Sequence, residues 1–139
     1  MKDHIERKQP ETLRLRELMP SLTVNDIGAS VAWYQDILGC VVADRMEHEG
    51  RLMGAVLNAG DIQILLSQDD GAKGSDREKG VGFRLYGVTA QDVDQLAADV
   101  KARGGELAHE PKDQPWKARD FAITDPDGYK ISISAGIGD

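Results

Sequence analysis

One order of elements occurs twice along this chain: a strand, an amphipathic helix, then three strands. In the first copy "PSLTV" reads as a strand and "NDIGASVAWYQDILG" as a helix, because Ile27, Val31, Tyr34 and Leu38 share one helical face. Asn25 or Asp26 can cap its start, and Gly39 is placed to end it. "CVVADRM" and "RLMGAVLN" form two strands around a turn at "EHEG", and "DIQILLS" is the third, entered through Gly60. The polar, glycine-rich "QDDGAKGSDREKG" has no periodicity and reads as a linker or flap. Then the order returns. "VGFRLYG" is a strand, and "TAQDVDQLAADVKARGG" is a helix with Thr89 as its expected cap and an apolar face of Val93, Leu96, Ala97 and Val100. Gly104 and Gly105 stop it, "ELAHE" is a strand, and "RDFAIT" and "YKISIS" make a hairpin around "DPDG".

Neither half can bury its own sheet face, so a duplication of this kind implies that the copies fold against each other. The expected fold is α+β: two βαβββ modules forming a curled eight-stranded mixed sheet around a cleft, with the helices outside. The expected organisation is an N-terminal arm over 1–17 and a single domain over 18–135. Module one spans about 18–68, a linker 69–80 and module two about 81–135. Within the arm, residues 1–11 look mobile. "TLRLREL" alternates Leu13 and Leu15 with Arg14 and Arg16, which suits either an edge strand packing on a partner subunit or a frayed tail.

Charge and composition exclude several functions. A net charge of −7 argues against a nucleic-acid phosphate surface. It favours solubility and is compatible with a cationic ligand. No apolar run approaches the length of a membrane span. "MKDHIERKQPETLRLREL" is charged throughout and unlike a secretory signal. The one cysteine, Cys40, leaves no internal disulfide, reads as a small buried apolar side chain, and fits a reducing cytoplasm.

The stretches "LTVNDIGASVAWYQDILG", "GVTAQDVDQLAADVKARGGEL" and "QPWKARDFAITDPDGYKI", in this order over about residues 18–134, resemble the vicinal oxygen chelate superfamily. That superfamily includes glyoxalase I, extradiol dioxygenases, and fosfomycin and bleomycin resistance proteins. "EPKDQPWKARDFAITDPDGY" looks most like the bleomycin-resistance type, with one departure: Lys117 stands where those proteins usually carry glycine.

Metal-dependent members take one ligand from each of four strands that face the cleft. The resemblance puts those positions at Met19, Gln63, Gly82 and Ser132. A thioether, an amide, a missing side chain and a hydroxyl are a poor set for a divalent ion, which wants imidazole and carboxylate. A shift of one residue brings in Leu18, Ile64, Val81 or Phe83, none of them a ligand. His4, His48 and His109 fall elsewhere, in the arm, a turn and the end of a strand. The expectation is therefore no metal and no cofactor.

Alternation gives the remaining cleft residues. Gly82, Arg84 and Tyr86 fall on one side of their strand, Asp120 and Ala122 on the same side of theirs, and Lys130, Ser132 and Ser134 likewise. Arg84 and Asp120 can pair with each other or with a ligand. Trp116 offers a stacking surface, whereas Trp33, beside the apolar face of the first helix, reads as packing. The expected ligand-binding set is Trp116, Arg84, Gln63, Asp120, Tyr86 and Ser132. It suits a homodimeric, metal-free binder of a small, planar or cationic, antibiotic-like molecule. The alternative is a lyase, isomerase or dioxygenase of the same superfamily, using an unrecognised metal or acid–base chemistry at Asp120 or Glu110.

Overall fold

The computed structural model describes residues 11–74 and 76–137. Module one runs β1 (Ser21–Val24), α1 (Ile27–Trp33), a π-helical turn (Tyr34–Leu38), β2 (Val41–His48), β3 (Arg51–Ala59) and β4 (Ile62–Gln68). Module two runs β5 (Leu85–Val88), α2 (Val93–Ala102), β6 (Leu107–Gln114), β7 (Ala118–Thr124) and β8 (Lys130–Gly136). Asp26 caps α1 by accepting from the Ala29 amide at 3.1 Å. Widening into a π turn lets the amides of Gly39 and Cys40 both bond the Tyr34 carbonyl, with Gly39 at φ +97° closing the end. Asp92 caps α2 by accepting from Asp94 and Gln95. The expected cap, Thr89, instead accepts from the Gln91 amide in the turn before the helix.

The strands do not join into one eight-stranded sheet. They form two four-stranded sheets, ordered β1-β4-β3-β2 and β5-β8-β7-β6. In each, the module's first strand lies parallel to its last and the other pairings are antiparallel. Among the described residues no strand pairing links the sheets. β1 and β5, each four residues long, are edge strands of their sheets. Ahead of β5, Gly80 and Gly82 sit at φ +77° and +85°, outside the extended range.

The modules are held together through helices, a turn and one core. Leu22, Val24, Val31, Tyr34, Leu57 and Leu66 of the first belong to the same buried cluster as Val100, Phe121, Ile123 and Tyr129 of the second. The "DPDG" turn of module two docks on β1 and α1. The Tyr34 hydroxyl donates to Asp125 at 2.8 Å, the Asn25 amide to Asp127 at 2.9 Å, and the Tyr129 hydroxyl to the Thr23 carbonyl at 2.7 Å. Arg103, just beyond α2, donates twice to the Ile37 carbonyl in the π turn. Cys40 is buried in this core, and burial pushes its thiol up to about 11.

The 69–80 connection is anchored rather than free. Lys79, its side chain only 3 % exposed, reaches Asp69 at 2.8 Å and the Asn25 side chain at 2.7 Å. Gly80 passes so close to the Gly128 carbonyl that a Cβ there would collide with it. Residues 71–74 and 76–78 between these anchors are exposed. Residues 12–18 form no strand, and Leu13, Leu15 and Leu18 are exposed. Residues 1–10, including His4, lie outside the described part.

Candidate functional site

The candidate site is the face of the second sheet turned away from α2. Phe121, Ile123 and Ile131 project to the core side of β7 and β8 and are almost fully buried. Their neighbours Asp120, Ala122, Ser132 and Ser134 must then project to the other face. Strand register sets them side by side, Asp120 opposite Ser134 and Ala122 opposite Ser132, with Tyr86 of β5 beside Ser132. These floor residues are buried, and larger side chains from β5, β6 and the β6–β7 turn lie over them.

Two hydrogen-bond systems cross this face. Arg84 Nη1 donates to Ser132 Oγ at 3.0 Å. Tyr86 donates its hydroxyl to Ser134 Oγ at 2.9 Å and accepts from Trp116 Nε1 at 3.2 Å. That chain holds both rings in place while leaving them roughly half exposed, at 48 % and 44 %. Toward β6, Asp120 Oδ1 accepts from Gln114 Nε2 at 2.9 Å and lies 3.6 Å from His109 Nε2. His109 Nδ1 meets the Glu110 carbonyl at 2.9 Å, so Nδ1 carries the proton and Nε2 is the atom turned to the carboxylate. Arg84 and Asp120 therefore do not pair with each other.

Five of the six expected residues, Trp116, Arg84, Asp120, Tyr86 and Ser132, share this face. Gln63 does not join them. It lies on β4 in the first sheet and donates to Asn58 at 2.8 Å. Trp116 sits in a tight turn rather than a long loop, because β6 continues through Pro111 to Gln114. It does so with register shifts on either side of His109, at the sheet edge, where proline costs no ladder bond. Lys117 closes the turn at φ +61°, the left-handed region, which accounts for the glycine usual there. The sequence reading set His109 aside as a strand-end residue and did not consider Gln114, because β6 was expected to end at Glu110.

The four positions expected to hold metal ligands do not fit one. Met19 precedes β1 and is partly exposed, and Gln63 is engaged with Asn58. Gly82 has no side chain. Ser132 already accepts from a guanidinium, a positive charge where a cation would have to bind. Among the described residues no group of three or more His, Cys, Asp or Glu side chains is arranged to hold a metal ion.

Two βαβββ modules packed through their helices, with a polar and aromatic sheet face left uncovered, define a paired-module α+β protein. The chain belongs to the Glyoxalase/Bleomycin resistance protein/Dioxygenase superfamily, which it matches over residues 12–133. It is 29 % identical over 127 residues to a bleomycin resistance protein of Geobacillus stearothermophilus, covering 83 % of this chain and 92 % of that one. It is 27 % identical to the lactoylglutathione lyase GLX1 of Arabidopsis thaliana, over 79 % of this chain and 40 % of that protein. A solved glyoxalase/bleomycin resistance protein/dioxygenase from Nocardioides superposes with a TM-score of 0.71 at 22 % identity, covering 93 % and 91 % of the two chains.

Proposed function

We propose that this chain, folding as one domain over about residues 18–135, is a metal-free binding protein for a small, antibiotic-like organic molecule, acting as a homodimer in the cytoplasm. The observation that carries this reading is the Arg84–Ser132 hydrogen bond. It sets a fixed positive charge on the position that would supply the fourth metal ligand, while Met19, Gln63 and Gly82 offer no compensating anion. The similarity to a bleomycin resistance protein along nearly its whole length supports the same reading. The ligand is a planar molecule that stacks on Trp116 and Tyr86 and exchanges hydrogen bonds with Arg84 and Asp120. The acidic net charge of −7 leaves a cationic ligand open. Elemental analysis of protein purified without a chelating column is expected to show no zinc, nickel, iron or manganese retained on dialysis. About one metal ion per chain would overturn the reading.

A second reading rests on His109 and Asp120. A buried carboxylate 3.6 Å from an imidazole can hold and pass a proton, so acid–base lyase or isomerase chemistry at this face is the alternative. Turnover abolished by Asp120→Asn with ligand affinity unchanged would favour it.

A further inference from the structure

Arg84 and Lys130 form an uncompensated positive pair on the candidate face. Leu85 is in register with Ile131 on adjacent parallel strands, so the residues just before them, Arg84 and Lys130, are neighbours. Ile131 is buried in the core, so Lys130 turns to the same face as Ser132, where Arg84 is tied by its hydrogen bond. Like charges side by side on adjacent strands repel and are normally avoided. Here, among the described residues, neither has a carboxylate partner, although the chain holds 24 acidic residues against 17 basic ones. The acidic residue in the site, Asp120, is buried, accepts from Gln114 and lies 3.6 Å from His109 Nε2. Net charge does not decide the local field, since exposed charges beyond about 10 Å are largely screened by physiological salt.

From this we infer that the ligand carries an anionic group, a carboxylate or an oxyanion of similar geometry, that binds Arg84 and Lys130 while its ring lies on Trp116 and Tyr86. The spacing fits. Arg84 is held over Ser132 and Tyr86 over Ser134, two residues along one strand, which is roughly 7 Å. A fused or one-atom-spaced aromatic acid spans that distance. The guanidinium spends one donor on Ser132 and keeps the rest of its fork for a carboxylate. The Trp116 N–H and Tyr86 O–H are satisfied by each other and by Ser134, so these side chains contribute ring faces rather than polar groups.

The inference rests on the binding-protein reading, and calorimetry with three isosteric probes separates the two: 2-naphthoate, neutral 2-naphthamide and cationic 2-naphthylmethylamine. The acid is expected to bind about ten- to a hundredfold tighter than the amide. Arg84→Gln should remove most of that preference, weakening the acid far more than the amide. Lys130→Gln, at an exposed position, should reduce the preference independently. Melting curves of both variants should match the parent. A preference for the amine, equal binding of acid and amide, or an undiminished acid preference in both variants overturns the anionic assignment but leaves the binding reading standing. Absence of binding by all three probes at millimolar concentration overturns both.

Discussion

The two tryptophans differ in what holds them, and so in what their removal should do. Trp33 is half-buried against the core and meets the Tyr34 ring edge-on at 4.8 Å. Trp116 touches the protein through its indole N–H on Tyr86 and shows much of its face to solvent. Trp33→Ala should therefore cost about 3 kcal/mol of stability and leave ligand affinity near the parent's. Trp116→Ala should melt close to the parent and bind 2-naphthoate about 2- to 30-fold more weakly. Thermal melts and titration of both variants check this, and a sharply lowered melting temperature for Trp116→Ala would reassign it to structure. Lys117 next to it holds a left-handed backbone that costs a non-glycine residue roughly 1–2 kcal/mol. That cost sits in the turn that aims Trp116.

At the scale of elements, the connection at 69–80 carries a pH signature. Hydrogen bonds from Lys79 and from the Gly71 amide hold the Asp69 carboxyl below its ordinary value of 3.8. A depressed carboxylate contributes stability that is present above the unfolded value and lost as pH falls through the lower folded value. The melting temperature gap between the parent and Asp69→Asn should therefore be widest near neutral pH and close as pH drops below about 4. A gap unchanged between pH 7 and pH 3 would show that Asp69 contributes shape rather than charge. Asp125 works in the opposite sense, because burial raises it and its ionised form costs stability as pH rises. Comparing each variant with the parent isolates Asp69 from that background. The helices were readable from sequence because Ile27, Val31 and Tyr34, and Val93, Ala97 and Val100, are buried at helical spacing. What alternation could not supply was which strands pair. The glycine breaks before β5 and the continuation of β6 past Pro111 come from backbone angles and register shifts that leave no periodic trace. Parity likewise gave each expected residue a face of its strand but not how the two sheets are set: five lie on one face of the second sheet, and Gln63 lies on β4 of the first.

Across the whole molecule, apolar side chains remain uncovered. Leu13, Leu15 and Leu18 beside the first module, and Val88 on the edge strand of the second sheet, are all between 64 % and 84 % exposed. Closed two-fold pairing is the commonest way to cover such surface. Sedimentation at micromolar concentration is expected to give a dimer, and monomer alone would count against it. The docking of the "DPDG" turn has a consequence of another kind, for the order in which the protein is made. Thr23 and Asn25 wait for Tyr129 and Asp127, residues 106 and 102 positions later in the chain. On the ribosome, the first module is synthesised long before the turn that covers its helix start, and the Tyr34 hydroxyl waits for Asp125 to accept from it. The duplicated halves look as if they could be separated, yet the earlier one is completed only by the last hairpin of the later one. A nascent chain halted anywhere in between would leave that helix start open to other proteins.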